Sequence, residues 1–247
     1  MPEATMKVEL ISTTPDGEML SALAARLCYS AANLNALRER VSTQDQSKLI
    51  GSIMDSGHHS VFEHVSFTFA IEGISRVLLA QLTRHRIASF SVQSQRYVSM
   101  AQGFEYVIPP RIKALGQDAV NEYERQMAQM HQWYQRWQQL LGKGESSNED
   151  ARFVLPGACE TRLILTMNAR ELMHFFRLRC CQRAQWEIRE LATRMLSLCK
   201  QHTPLLFTNA GPGCVAGSCP EGSKTCGRAL SGTEPVGNPD GLEKAEK

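Results

Sequence analysis

Strand-like segments in this chain are few, short and unevenly spaced, and that spacing constrains the fold more than any other feature. Lys7 to Ile11 (KVELI) reads as one strand and Val65 to Ile71 (VSFTFAI) alternates as a second. Ser89 to Val98 is β-like, with Phe90, Val92 and Tyr97, and Leu163 to Met167 is a short fourth. Helical periodicity fills the gaps unevenly. Glu18 to Tyr29 carries Leu20, Leu23 and Leu27 on one face, and Ser42 to Ser56 carries Leu49, Ile50 and Ile53 behind a Ser42-Thr43 cap. Ser75 to Thr83 has helical spacing in Val77, Leu78 and Leu82, and two further helices are predicted over about 169–180 and 184–200. Ala114 to Leu141 reads as a long helix with sparse apolar residues, so one broad face is solvated or packs on a partner. Gly142 to Asn148 reads as a turn. A regular βαβ array would alternate evenly. This mixture predicts α+β, with one central mixed or antiparallel sheet flanked by helices in a single domain.

The 247 residues are enough for one large domain with its own core, and 43% hydrophobic with 21% charged residues excludes global disorder. The expected division is a folded domain over 1–209 and a Gly/Pro/Cys-rich loop and tail over 210–247, the last ~18 residues being disordered. No stretch approaches the ~20 apolar residues of a membrane span, so no membrane partner is expected. The N-terminus lacks the pattern of a secretory signal, and the eight cysteines are therefore expected as mostly free thiols in a reducing cytoplasm.

A net charge of only +2 excludes a general nucleic-acid coat, so functional charge must be local. It is concentrated twice. Arg76, Arg84, Arg86 and Arg96 lie in an acid-free stretch with His85; Arg162, Arg170, Arg177, Arg179 and Arg183 share theirs with the single acid Glu171. The guanidinium fork matches phosphate or carboxylate oxygens in pairs. A solvated basic face would be richer in Lys and Glu, whereas Arg84 to Arg96 interleaves its cations with Ser89, Ser91, Gln93, Ser94 and Gln95. Arg179 continues the apolar stripe of Leu172, Phe175 and Phe176, where a cation either snorkels off the helix end or faces an anion. Asn168 fits an N-cap, with Glu171 three residues on in a box-like pattern.

Arg84-His85-Arg86, seven residues and then Ser94 resembles the signature of the flavin-dependent thymidylate synthases. The ordered segments Gly57 to His64 (GHHSVFEH), Arg152 to Pro156 (RFVLP), Asn168-Ala169-Arg170 and Gln185 to Ile188 (QWEI) extend the resemblance over about residues 6–205. It implies that family's α+β fold, FAD as cofactor, and NADPH and methylenetetrahydrofolate as co-substrates. The implied reaction is reductive methylation of dUMP to dTMP, a step of de novo dTMP biosynthesis, without a cysteine nucleophile. It also implies a homotetramer whose sites are shared between subunits. Carried over by position, Gln81, Arg84, Ser94, Arg96, Arg152 and Arg179 are dUMP ligands, and Val92 and Gln93 contribute through backbone. Ser94 and Arg96 suit the phosphate. Arg179 is the cation beside the pyrimidine, and the Ser94 hydroxyl positions substrate rather than attacking it. His58, Ser60, Glu63, Arg84, His85, Arg86, Ile87, Asn168 and Arg170 are flavin-site residues by the same carry-over. Val92 stands where the family often has Glu, and Arg183 where some members have His.

No metal site is expected. His58, His59 and His64 are not spaced as a compact ligand set. Cys214, Cys219 and Cys226, with Cys199 or His202 as a fourth ligand, are the weak candidate, against free loop thiols. Gly217 to Thr225 has one residue too many before Lys224 for a phosphate loop, and Glu221 brings the wrong charge. The rival to an enzyme is an RNA or single-stranded DNA module held by the arginine blocks; such modules carry more Lys, and no nucleic-acid partner is expected.

Overall fold

A computed structural model describes residues 1–142, 144–215 and 217–228, so the predicted disordered tail lies outside the described residues. Strand β1 (Lys7–Thr13) leads into helices α1 (Gly17–Leu27), α2 (Leu34–Thr43) and α3 (Ser47–Ser56). A 3-10 turn, His59–His64, precedes β2 (Ser66–Ser75), which continues into α4 (Arg76–Leu82) and then β3 (Ala88–Val92). Next come α5 (Pro110–Lys113), α6 (Gln117–Leu141), α7 (Glu145–Ala151), a 3-10 turn at Arg152–Val154 and β4 (Glu160–Asn168). Helices α8 (Ala169–Arg179), α9 (Trp186–His202) and α10 (Pro204–Phe207) follow, with a last 3-10 turn at Gly222–Lys224.

The four strands form one sheet in the order β1-β2-β4-β3. Its register is antiparallel throughout. Thr14 N donates to Ser66 O (3.0 Å) where β1 ends and β2 begins. Across β2 and β4, the Thr68 and Thr166 hydroxyls bond at 2.9 Å and Gly73 N donates to Glu160 Oε1 (3.0 Å). Gln93 N donates to Arg162 O (2.9 Å) beside β3. The fold is α+β, as the uneven spacing of strands required. Alternation places Phe67, Phe69 and Ile71 of β2 and Leu163, Leu165 and Met167 of β4 in the interior, while Arg162 and Ile164 stay exposed.

The chain divides into two compact units, Met1–Glu9 with Phe69–Leu165, and Leu10–Thr68 with the described residues from Thr166 onward. Strands β1, β2 and β4 run from one into the other. The first unit has a core of Met100, Phe104, Tyr106, Ile108, Met127, Tyr134, Ala151 and Cys159. In the second, Phe67, Phe207, Phe176 and Phe175 follow one another with ring centroids 5.4, 5.9 and 5.7 Å apart. There α8 packs on α9 and on the 3-10 turn at His59–His64.

Several elements differ from the sequence reading. Ser42 to Ser56 is not one helix: α2 ends at Thr43 and α3 begins at Ser47. Ser42 and Thr43 close α2, their hydroxyls donating to Glu39 O, instead of capping the next helix. The buried Gln46 side chain donates to Val41 O (2.9 Å) and Gln44 O (2.6 Å), satisfying carbonyls at the break. β3 stops at Val92, and the chain turns with Val98 N donating to Ser94 O (2.9 Å). The predicted turn at Gly142–Asn148 is instead the approach to α7 and its first four residues. The long helix begins at Gln117, after Gly116 in the left-handed region. β4 is longer than predicted, at nine residues.

Candidate functional site

In the first unit, α4 and β3 carry the arginine signature between them. Ser75 caps α4 by accepting from Leu78 N (3.0 Å), and the helix ends before the RHR tripeptide, where Arg84 N donates to Gln81 O (3.3 Å). His85 is buried, while Arg84, Arg86 and Ile87 project to the surface. No carboxylate faces Arg84 or Arg86 among the described residues. Exposed cations beside an exposed apolar side chain are suited to an anionic ligand with a flat apolar part.

Past β3, the turn holds Ser94 and Arg96 together, for Ser94 Oγ accepts from Arg96 N (3.2 Å). Asn148 Nδ2 donates to Arg96 O (3.1 Å), and Tyr134 OH accepts from Met100 N (3.2 Å) and bonds Asn148 Oδ1 (3.4 Å). The turn is thereby anchored to α6 and α7 by buried polar groups. The Arg96 guanidinium is taken up by α7: Nη2 lies 2.8 Å from Glu145 Oε1 and Nε 2.9 Å from Glu149 Oε2. The Nε contact is off the N–H direction and is ionic rather than a hydrogen bond. Arg152 Nε donates to Glu149 O (3.1 Å), which brings Arg152 beside the same helix.

Arg76 lies close enough to Arg152 for mutual repulsion. Burial first, and then that repulsion, depress its pKa below the usual arginine range, against the opposing influence of Cys159. Two guanidiniums gathered with no carboxylate between them among the described residues are a setting for a bound anion. Burial pushes the Cys159 thiol up to about 11, against the opposing pull of Arg76 and Gln95, so it is protonated at neutral pH and is no nucleophile. An open groove of about 590 Å³ on the sheet is lined by Gln93, but not by Arg84, Ser94, Arg96 or Arg152.

The second unit gathers the other set. Asn168 ends β4 and caps α8, its Oδ1 accepting from Glu171 N (2.9 Å). Ala169 N donates to Val65 O (2.7 Å), which fixes the start of α8 beside the His59–His64 turn. Glu63 on that turn pairs with Arg170 on α8. His58 and Ser60 flank the start of the turn and are exposed. Leu172, Phe175 and Phe176 are fully buried, and Arg179 at the end of their stripe is half-buried. Arg183 pairs with Glu221 of the C-terminal loop. Cys214 is buried, Cys219 half-buried and Cys226 exposed, and no group of three metal-ligating side chains assembles among the described residues.

A family model described as thymidylate synthase complementing protein matches residues 9–205. A flavin-dependent thymidylate synthase of Geobacter sulfurreducens is 52% identical over 91% of this chain and 95% of its own. The chain belongs to the flavin-dependent thymidylate synthase family. A second such synthase, from Clostridium tetani, is 47% identical over 91% of this chain and 94% of its own. The crystal structure of the UMP/dUMP methylase PolB from Streptomyces cacaoi, bound with 5-Br dUMP, superposes with a TM-score of 0.69 at 25% identity, over 83% of this chain and 94% of that one.

Within a flavin-dependent thymidylate synthase, the first unit carries Gln81, Arg84, Val92, Gln93, Ser94, Arg96 and Arg152 of the predicted substrate set, and the second carries Arg179. The predicted flavin set divides likewise, with Arg84 to Ile87 in the first unit and His58, Ser60, Glu63, Asn168 and Arg170 in the second. Sequence reasoning missed Glu145 and Glu149. Their spacing of four places both on one helix face, but the Gly and Ser residues around them read as a turn. It also missed the positioning pair Tyr134 and Asn148, which no local pattern marks.

Proposed function

We propose that this chain converts dUMP to dTMP, using methylenetetrahydrofolate as the carbon donor. Bound FAD, reduced by NADPH, supplies the hydride. The match to a named synthase along nearly the whole of both chains carries this reading. The acid-free surface of Arg84, Arg86 and Ile87 fits a flavin dinucleotide, whose diphosphate needs cations and whose ring needs apolar contact.

Ser94, Arg96 and Arg152 hold the nucleotide phosphate, with Gln81 and Arg84 and the backbone of Val92 and Gln93 completing the substrate site. Arg179 lies against the pyrimidine and stabilises negative charge that develops on its carbonyl oxygen. Asn168, Arg170, His58, Ser60 and Glu63 join Arg84 to Ile87 in binding the cofactor. Residues 1–209 form the synthase domain and 210–247 an appended segment, in keeping with a family match that ends at residue 205. The active form is a homotetramer with shared sites. It is cytoplasmic, in keeping with eight unpaired cysteines; no helix among the described residues is long and apolar enough to cross a membrane.

The test is spectrophotometric. The purified protein is expected to be yellow and to form dTMP from dUMP, methylenetetrahydrofolate and NADPH. A colourless protein that forms no dTMP under these conditions overturns the reading.

A further inference from the structure

Arg96 cannot receive a phosphate on the Nη2–Nε edge of its guanidinium in the arrangement described, because two carboxylates already occupy that edge. Glu145 and Glu149 approach Nη2 and Nε at 2.8 and 2.9 Å, so the local sum is one positive charge against two negative. An incoming phosphate dianion is attracted by Arg152 beside the same helix but meets repulsion from the two carboxylates. The backbone of Arg96 is not free to carry the side chain elsewhere. Its N–H is bonded to Ser94 Oγ and its carbonyl to the buried Asn148. With the backbone held, a phosphate reaches that edge most directly where a carboxylate leaves it.

We propose that Glu145 is an internal competitor for Arg96, and that the dUMP phosphate binds by displacing its carboxylate. This rests on the assignment of Arg96 to the substrate phosphate. Glu145 is the first residue of α7 and follows Gly144 at a φ of 108°. Its side chain is 46% exposed, and Arg96 is its charge partner among the described residues. A carboxylate released there is rehydrated at little cost, as for other exposed ion pairs. Glu149 sits one turn further in, with its carbonyl held by Arg152 Nε, and it remains to orient the guanidinium. The contrast with Arg84 and Arg86 is the second support: among the described residues those surface arginines of the same unit have no carboxylate partner, whereas Arg96 has two. The competitor makes the phosphate subsite selective for a dianion, since chloride or a lone carboxylate offers no more than Glu145 already supplies.

The experiment is titration calorimetry on the full-length, flavin-loaded protein with dUMP and with deoxyuridine. Glu145→Gln is expected to bind dUMP roughly two- to fivefold more tightly than wild type, with deoxyuridine affinity unchanged. In the Arg96→Ala background the same substitution is expected to have no effect on dUMP. Equal or weaker dUMP binding by Glu145→Gln overturns the proposal, as does a parallel gain for deoxyuridine. Wild-type protein that binds no dUMP, or Arg96→Ala that binds it normally, instead overturns the phosphate assignment beneath it.

Discussion

Single side chains divide here between those that bind and those that merely survive burial. Arg179 ends an otherwise apolar stripe and is half-buried there, the position from which the proposed contact with the pyrimidine is tested. Arg179→Ala is expected to keep flavin absorbance and lose dTMP formation by at least about a hundredfold, as for loss of a charge-stabilising donor; unchanged turnover would remove the role given to it. Ser94 contributes a hydroxyl that organises its own turn through Arg96 N. Ser94→Ala should therefore raise KM for dUMP while retaining measurable kcat, and complete loss of kcat would point to direct chemistry. The buried thiols act differently. Burial raises Cys159 to about 11 and Cys180 to about 12 from a usual value near 9.0. Raised acids favour the protonated folded state, so this stability is intact below about pH 9 and is lost as pH climbs through 11 to 12. The thermal midpoint should fall over that window, and fall less in Cys159→Ala; an identical alkaline slope in both proteins would refute the assignment.

At the scale of elements, backbone devices set where helices and strands stop. Gly73 in β2 has a φ of 73°, and a Cβ there would lie 2.0 Å from Thr5 O. Gly73→Ala is expected to cost at least about 1–2 kcal/mol from the left-handed conformation alone, with the clash in addition. Urea denaturation at wild-type midpoint would show that the N-terminal chain does not pass where described. Asn33 caps α2 by accepting from Ala36 N (3.0 Å), so Asn33→Ala should cost about 1 kcal/mol. Neither of these was read in the sequence, which showed no helix between Tyr29 and Ser42; other local signals were legible. Ser75 and Asn168 cap their helices as their positions suggest, and β2 alternates as its residues do. The break at Gln44 to Gln46 was not legible, because a buried amide five residues from Val41 closes α2, and no 3.6-residue period reports that bond. α7 was hidden for a related reason. Its Gly- and Ser-rich sequence favours a turn, and it is helical because Ala151 and Asn148 are buried in the core around Tyr134.

At the scale of the whole molecule, a sheet of four antiparallel strands leaves Arg162 and Ile164 exposed, and α6 leaves Trp133 and Trp137 about half exposed. Light scattering on the purified protein is expected to give the mass of four chains; a monomer with full activity would refute shared sites. The chain's own order of residues determined the α+β class, the two arginine blocks, the Asn168 cap and the family, because these follow from local periodicity and from motifs that survive without coordinates. Tertiary structure alone decided that Arg96 meets Glu145 and Glu149, that Glu63 meets Arg170, and that Cys159 is an inert thiol beneath Arg76. Charge neutralisation and desolvation depend on distances between residues as far as 107 positions apart in the chain, and those distances exist only once the fold has formed.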